Sequence, residues 1–281
     1  MEHIIEHSIK DTVTIIPFLF IAFLLMEYIE NKFNKKTKKI IEKAGKSGPL
    51  LGSILGVFPQ CGFSVMGTNF YAARIISLGT LISIYLSTSD EMLPIMITEG
   101  LKLNQIFYIL FIKVLIAIIA GFIIDYIYKN QKINRKVIHE ICKEEQCDCH
   151  HDGIIKSSLK HTLNIVLFIF ITNLIVTGLI EMVGEDNLGQ ILFKNSIFGP
   201  FIASLFGLIP NCASSVIITE LFLNGAISFG SLIAGLLTGS GIAILVLFKI
   251  NKNVKENLHI LGLVYFIGVL SGIIIELITL W

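Results

Sequence analysis

Charge is scarce in this chain. Asp, Glu, Lys and Arg make up 15% of its 281 residues, where a soluble domain carries about 25%. That shortfall excludes an ordinary soluble globule. The net charge is +1 and no basic tract suggests nucleic acid as a partner. The Gly-rich loop ending in Lys and Ser or Thr that cradles nucleotide phosphates is also missing, so ATP drive would need a second protein. No small-residue cleavage site follows the first apolar run, Val13 to Met26, which is therefore expected to remain as a permanent span. There are only five cysteines, three of them within 142–149. Such a distribution makes no disulfide framework and suits a reducing cytosolic side.

What the chain has in abundance is apolar sequence, 54% hydrophobic with mean hydropathy +0.78. Apolar segments lie near 12–29, 49–73, 76–98, 104–127, 162–182, 200–223, 227–248 and 258–280. The expected class is an all-α, multi-pass integral membrane protein with the lipid bilayer as its solvent.

The segments repeat. GPLLGSILGVFPQCGFSVMGT (48–68) and GPFIASLFGLIPNCASSVIIT (199–219) lie at an offset of 151 and share nine of 21 positions, including Pro59/Pro210, Cys61/Cys212 and Ser64/Ser215. Shared Leu and Ile would mean little here, but Gly, Pro and Cys each answer a particular backbone or chemical need. The register continues through Ser77/Ser228, Ser89/Ser240 and Gly121/Gly272 to Asp125/Glu276. Three regions follow: a first membrane repeat at 1–128, a hydrophilic linker at 129–160 and a second membrane repeat at 161–281. Look-alike halves are a mark of transporters.

Loop charges argue that the repeats are inverted. Loop 31–46 holds seven lysines and is expected inside, whereas its counterpart at 183–198 has Glu185, Asp186 and only Lys194. The turn near Glu99 and Lys102 reads as outside, its counterpart with Lys249, Lys252 and Lys255 as inside. Inversion needs an odd number of crossings per half. Three full spans plus one re-entrant or broken helical hairpin satisfy it, giving about ten membrane helices. The hairpin is 49–73, broken at Pro59. From Pro49 to Phe58 is about 15 Å of helix, half of the roughly 30 Å core, and proline disfavours helix at the residue before it. A single Pro-kinked span is the alternative. The expected location is the cytoplasmic membrane, with the linker cytosolic and both termini outside.

Two hairpins entering from opposite faces would meet near the midplane and line a cavity with exposed backbone. Each tip offers a thiol, a carboxamide and a hydroxyl: Cys61, Gln60 and Ser64 beside Pro59, and Cys212, Asn211 and Ser215 beside Pro210. Paired thiols suit a soft cation or trivalent metalloid. A lone buried cysteine is more often a small hydrophobe, but recurrence in register at a proline break points toward ligation. Segment 76–98 carries Ser87-Thr88-Ser89-Asp90-Glu91, and Ser240 stands opposite Ser89 among glycines. An intramembrane carboxylate is costly and hence a functional candidate, so Asp90 or Glu91 is expected to bind cation or exchange protons. Asn69 and Glu220 form a further matched polar pair, with Glu220 a second candidate intramembrane acid. Lys113 reads as an ion-pair partner or a snorkelling residue, and Asp125 and Glu276 read as interfacial.

The linker gathers Cys142, Cys147, Cys149, His150 and His151. Thiolates and imidazoles that close make a metal or metalloid site for sensing, buffering or delivery; the alternative is a polar linker. An enzyme is not expected, because isolated cysteines without a nearby base or a CxxC pair make poor catalytic centres. No cofactor is required. A metal ion enters as cargo or regulator and protons as the coupling ion, and a homodimer is an open alternative.

The paired GP…PQCG and GP…PNCA elements with a Cys/His linker resemble the ten-helix heavy-metal exporters, whose members are often labelled arsenic efflux or manganese transport proteins. The resemblance covers about 10–280. It implies export of a metal or metalloid and carries over to Pro59, Gln60, Cys61, Pro210, Asn211 and Cys212. The related organoarsenical permeases have richer Cys-Ser-Cys runs at the comparable place, whereas this chain has one cysteine per motif. The rival reading is a transporter of another small solute, such as an organic anion, with the cysteines as packing residues.

Overall fold

A computed structural model describes residues 47–58, 61–89, 92–128, 198–211 and 213–279, with single helical positions between 13 and 24 and between 159 and 171. Every regular element among the described residues is an α-helix. Ten have complete bounds. In the first half they are α1 (Gly48–Gly56), α2 (Cys61–Ala72), α3 (Leu78–Ser87), α4 (Met92–Thr98) and α5 (Leu103–Ile127). In the second half they are α6 (Gly199–Gly207), α7 (Ala213–Leu223), α8 (Phe229–Thr238), α9 (Ala243–Ile250) and α10 (Val254–Thr279).

Local chemistry sets these bounds. Pro49 and Pro200 stand in the first turns of α1 and α6, where their missing N–H costs nothing. Both helices end before the next proline, α1 at Gly56 and α6 at Gly207. Ser77 and Ser228 cap α3 and α8, accepting from the backbone N–H of Thr80 and Ser231 at 3.2 Å. Segment 76–98, expected as one crossing, is two helices: α3 stops at Ser87 and α4 begins at Met92. Its counterpart breaks between Thr238 and Ala243.

Three stretches among the described residues are long and apolar enough to cross a membrane: Leu103–Ile127, Phe229–Ile250 and Val254–Ile278. Helix α5 buries one stripe, Ile106, Ile109, Lys113, Ala117 and Ile124, at 3.6-residue spacing. It exposes Phe107, Phe111, Leu115 and Ile119 on the other side. Such an apolar surface would be a liability in water; here it is the lipid face.

The centre of the first half is α3, all ten of whose residues are buried. It lies between α1 and α5, as α8 lies between α6 and α10. Lipid supplies no hydrophobic drive between helices, so close approach of small residues holds them. A Cβ on Gly56 would sit 2.0 Å from Ser87 Oγ and 2.7 Å from the Ile84 carbonyl oxygen. One on Gly79 would sit 2.1 Å from the Gly121 carbonyl oxygen. Gly48 meets Thr80 while Gly56 meets Ser87, so α1 and α3 run the same way. Ser83 Oγ donates to the Ala117 carbonyl at 3.0 Å and Gly79 meets Gly121, so α3 and α5 run oppositely. The halves interlock through reciprocal pairs, α2 on α9 and α7 on α4.

Candidate substrate site at the broken helices

The depth of the breaks follows from the long helices beside them. The 25 residues of α5 measure about 37 Å, somewhat more than the roughly 30 Å hydrocarbon core. Lys113 lies near their midpoint, is buried, and donates from Nζ to the carbonyl of Thr88, the residue that closes α3. The first break therefore sits halfway through the span. In the second half a Cβ on Gly268, midway along α10, would lie 2.5 Å from Thr238 Cγ2. That places the second break at comparable depth.

The two breaks are finished differently. At the end of α3, Thr88 Oγ1 donates to the Ile84 carbonyl at 2.7 Å and Ser87 Oγ to Ser83 at 2.8 Å. The ammonium of Lys113 then meets the negative end of the helix. In the second half Val264 replaces Lys113, and the chain closes on itself. Ser240 N donates to the Thr238 carbonyl at 2.8 Å, its Oγ donates to the same carbonyl at 3.3 Å, and Gly241 supplies a φ of 55°.

The hairpin is tied to the first break. Ser89 Oγ donates to the carbonyl of Val57, which closes α1. Val57, two residues before Pro59, is thus adjacent to the break that precedes Asp90. Helix α2 then runs against the other half. The hydroxyls of Thr68 and Tyr85 are 2.7 Å apart, and each lies 3.5 Å from the carbonyl oxygen of Ala243, the first residue of α9.

Several residues expected in the site are placed. Ser64, Ser89, Ser215 and Ser240 are buried near the breaks or on the second hairpin limbs. Pro210 is half-buried, at the turn between α6 and α7. Asn211 is buried, and its Oδ1 accepts from Ala213 N at 2.8 Å, so the carboxamide oxygen starts α7. Asn69 is buried, donates from Nδ2 to the Val65 carbonyl at 2.8 Å, and leaves Oδ1 without a partner among the described residues. Glu220, its counterpart, is exposed on α7. The matched pair does not share an environment, although Ser64/Ser215 and Thr68/Thr219 on the same limbs are buried in both halves. Pro59, Gln60, Asp90, Glu91, Cys212 and the side chain of Cys61 lie outside the described residues, as do Cys142, Cys147, Cys149, His150 and His151. No three of His, Cys, Asp and Glu gather around one point among the described residues.

Four residues carry more than their sequence reading. Lys113 braces a backbone carbonyl, and its place on the inward stripe of α5 was the available signal. Asp125, read as interfacial, accepts from Ser77 Oγ at 2.7 Å and Gly79 N at 2.9 Å, which pins the start of α3 to α5. Glu276 is buried at the matching place, beside Gly230. Arg74 adopts a φ of 57° and reaches Glu256 across the halves; the glycine at the matching repeat position, Gly225, was the available signal for the backbone angle but not for the partner.

One family model, described as "Putative, 10TM heavy-metal exporter", matches residues 1–186 and again 150–280. No curated protein and no solved structure matches the chain.

Proposed function

The chain belongs to this ten-helix heavy-metal exporter family, and on that premise we propose that it is a secondary-active exporter of a heavy metal or metalloid, arsenic and manganese being the first cargoes to test. The ion passes where two hairpin tips meet two broken helices in the middle of the bilayer. The observation that carries this reading is the contact between Lys113 and Thr88, which sets a helix break at half the depth of a full span. Non-helical backbone at that depth is tolerated where it lines a cavity.

The inverted arrangement of the halves is supported by contacts between them. Tyr128, at the end of α5, bonds His259, in the second turn of α10, at 2.6 Å. Tyr108, near the start of α5, stacks with Phe229 at the start of α8, ring centres 6.0 Å apart. An end meeting a start is what opposed directions of α5 and α10 require. In the proposed site Cys61 and Cys212 supply thiolates, Gln60, Ser64 and Ser215 neutral donors, and Asp90 or Glu91 a group that binds cation or exchanges protons. Asn211 holds the start of α7 in place beside them. The linker cysteines and histidines serve as a cytosolic acceptor for the same metal.

The test is a metal-panel flux assay in proteoliposomes, with and without a pH gradient. Flux of at least one metal or metalloid that rises with the gradient is expected, and Cys61→Ser and Cys212→Ser should each reduce it at least tenfold. Absence of flux for every metal would remove the reading, and full flux in both serine variants would remove thiol ligation alone. A second reading, transport of a small organic anion, is favoured by the buried ammonium of Lys113 at the break and by the electropositive starts of α2 and α4. An anion panel in the same liposomes separates the two.

A further inference from the structure

We propose that Arg74, Tyr71 and Glu256 form a releasable latch that shuts one mouth of the path between the halves; what passes through the opened mouth rests on the transport reading, the latch itself does not. The argument begins with backbone. Arg74 ends α2 in the left-handed region, with Arg74 N donating to the Tyr71 carbonyl at 2.8 Å and Ile75 N to Phe70 at 2.8 Å. At the corresponding place in the second half stands Gly225, φ 67°, with the same pair of bonds from Gly225 N to Phe222 and Ala226 N to Leu221. Helix ends of this shape favour glycine, and a side chain there is strained.

The arginine makes contacts that glycine could not. Its Nη1 and Nη2 donate to Glu256 Oε1 and Oε2 at 2.6 and 2.8 Å, a two-pronged pair. The Tyr71 hydroxyl donates to the same carboxylate, and the guanidinium lies 5.0 Å from the Tyr71 ring centre. Glu256 is in the first turn of α10, so these bonds join the two halves. The matching triplet in the other half is Gly225, Phe222 and Gln105, which can form no such cluster. There the contacts are aromatic, Phe222 with Phe229 and Phe229 with Tyr108, each at 6.0 Å. One end of the seam is therefore joined by charge and the other by aromatic contacts. The Arg74 and Glu256 side chains are 23% and 15% exposed, so water reaches the pair and can replace it on opening.

The test uses the full chain in lipid nanodiscs and needs no cargo. Arg74→Gly installs the residue that the other half already has, which relieves the backbone while cutting the latch; Glu256→Gln cuts it without changing size. Hydrogen exchange of amides in 68–76 and 249–257 is expected to rise about tenfold in both variants. Exchange in α5 and in 219–232 should be unchanged, and Arg74→Gly should melt no lower than the parent. Unchanged exchange at the seam, or an equal rise along the whole chain, would overturn the latch. A parent protein that moves no metal would remove the export reading, and the latch is still decided by exchange alone.

Discussion

Put side by side, the two halves of the molecule agree in backbone and disagree in chemistry. Helices α1 and α6, α3 and α8, α4 and α9, and α5 and α10 each begin 151 residues apart. The shared Gly, Ser and Pro positions explain that agreement, since they start helices, cap them and let them touch. The disagreements fall at the breaks and the seams. Lys113 answers Val264, Tyr85 answers Leu236, and Arg74 answers Gly225. In each pair the first half has the side chain that donates hydrogen bonds and the second has one that only packs or bends. The frame thus constrains small residues closely and leaves the larger ones free to specialise, so that one half braces its break with a charge from a neighbouring helix while the other closes through its own backbone and the Ser240 hydroxyl.

Substitutions can break this comparison. The largest effect is expected where a frame glycine is lost. Gly79→Ala drives a methyl to 2.1 Å from the Gly121 backbone oxygen, whereas Gly230→Ala leaves 2.6 Å to the Gly272 backbone oxygen, with a carboxylate oxygen at 2.5 Å in the first case (Asp125) and 2.4 Å in the second (Glu276). Gly79→Ala should cost about 3 kcal/mol and Gly230→Ala less, read as melting temperatures in one detergent. Equal shifts would show that the two α3-type contacts are not distinct. Next comes Lys113→Val, which gives the first break the residue of the second. It leaves the Thr88 carbonyl without its ammonium donor, at a cost of about 2 kcal/mol, and hydrogen exchange at 86–93 should rise while 237–243 stays as it was. The smallest is Tyr85→Leu, again the counterpart's residue. Losing the hydroxyl contact with Thr68 should cost about 1 kcal/mol, and adding Thr68→Val to it should cost little more, a double-mutant cycle being the measurement.

Much of the frame was legible because its signals are backbone signals. A proline ten residues past a Gly-Pro start limits a helix wherever it stands, and α1 and α6 stop before theirs. The break after Ser87 was harder. Ser-Thr-Ser contains neither proline nor glycine, and its own run reads as continuous; only Gly239 and Gly241 in the other copy hint at it. The roles of Lys113, Asp125 and Arg74 were out of reach for a different reason. Each acts on a partner 25 to 182 residues away, and pattern along one chain does not encode which distant carbonyl or carboxylate a side chain will meet.

The glycine face of α1 also determines what the bilayer touches. With Gly48, Gly52 and Gly56 turned to α3, the helix shows Leu50, Leu51, Ile54 and Leu55 outward. Nine residues are about 13 Å, less than one leaflet's share of the hydrocarbon. The acyl chains beside α1 and α6 therefore meet a protein ridge that stops partway through a leaflet, and lipid tails complete the outer wall of each hairpin. Tail length is then a structural parameter of this protein: lipids too short for that wall would leave the ridge ends uncovered, and the working membrane is in effect one more packing partner.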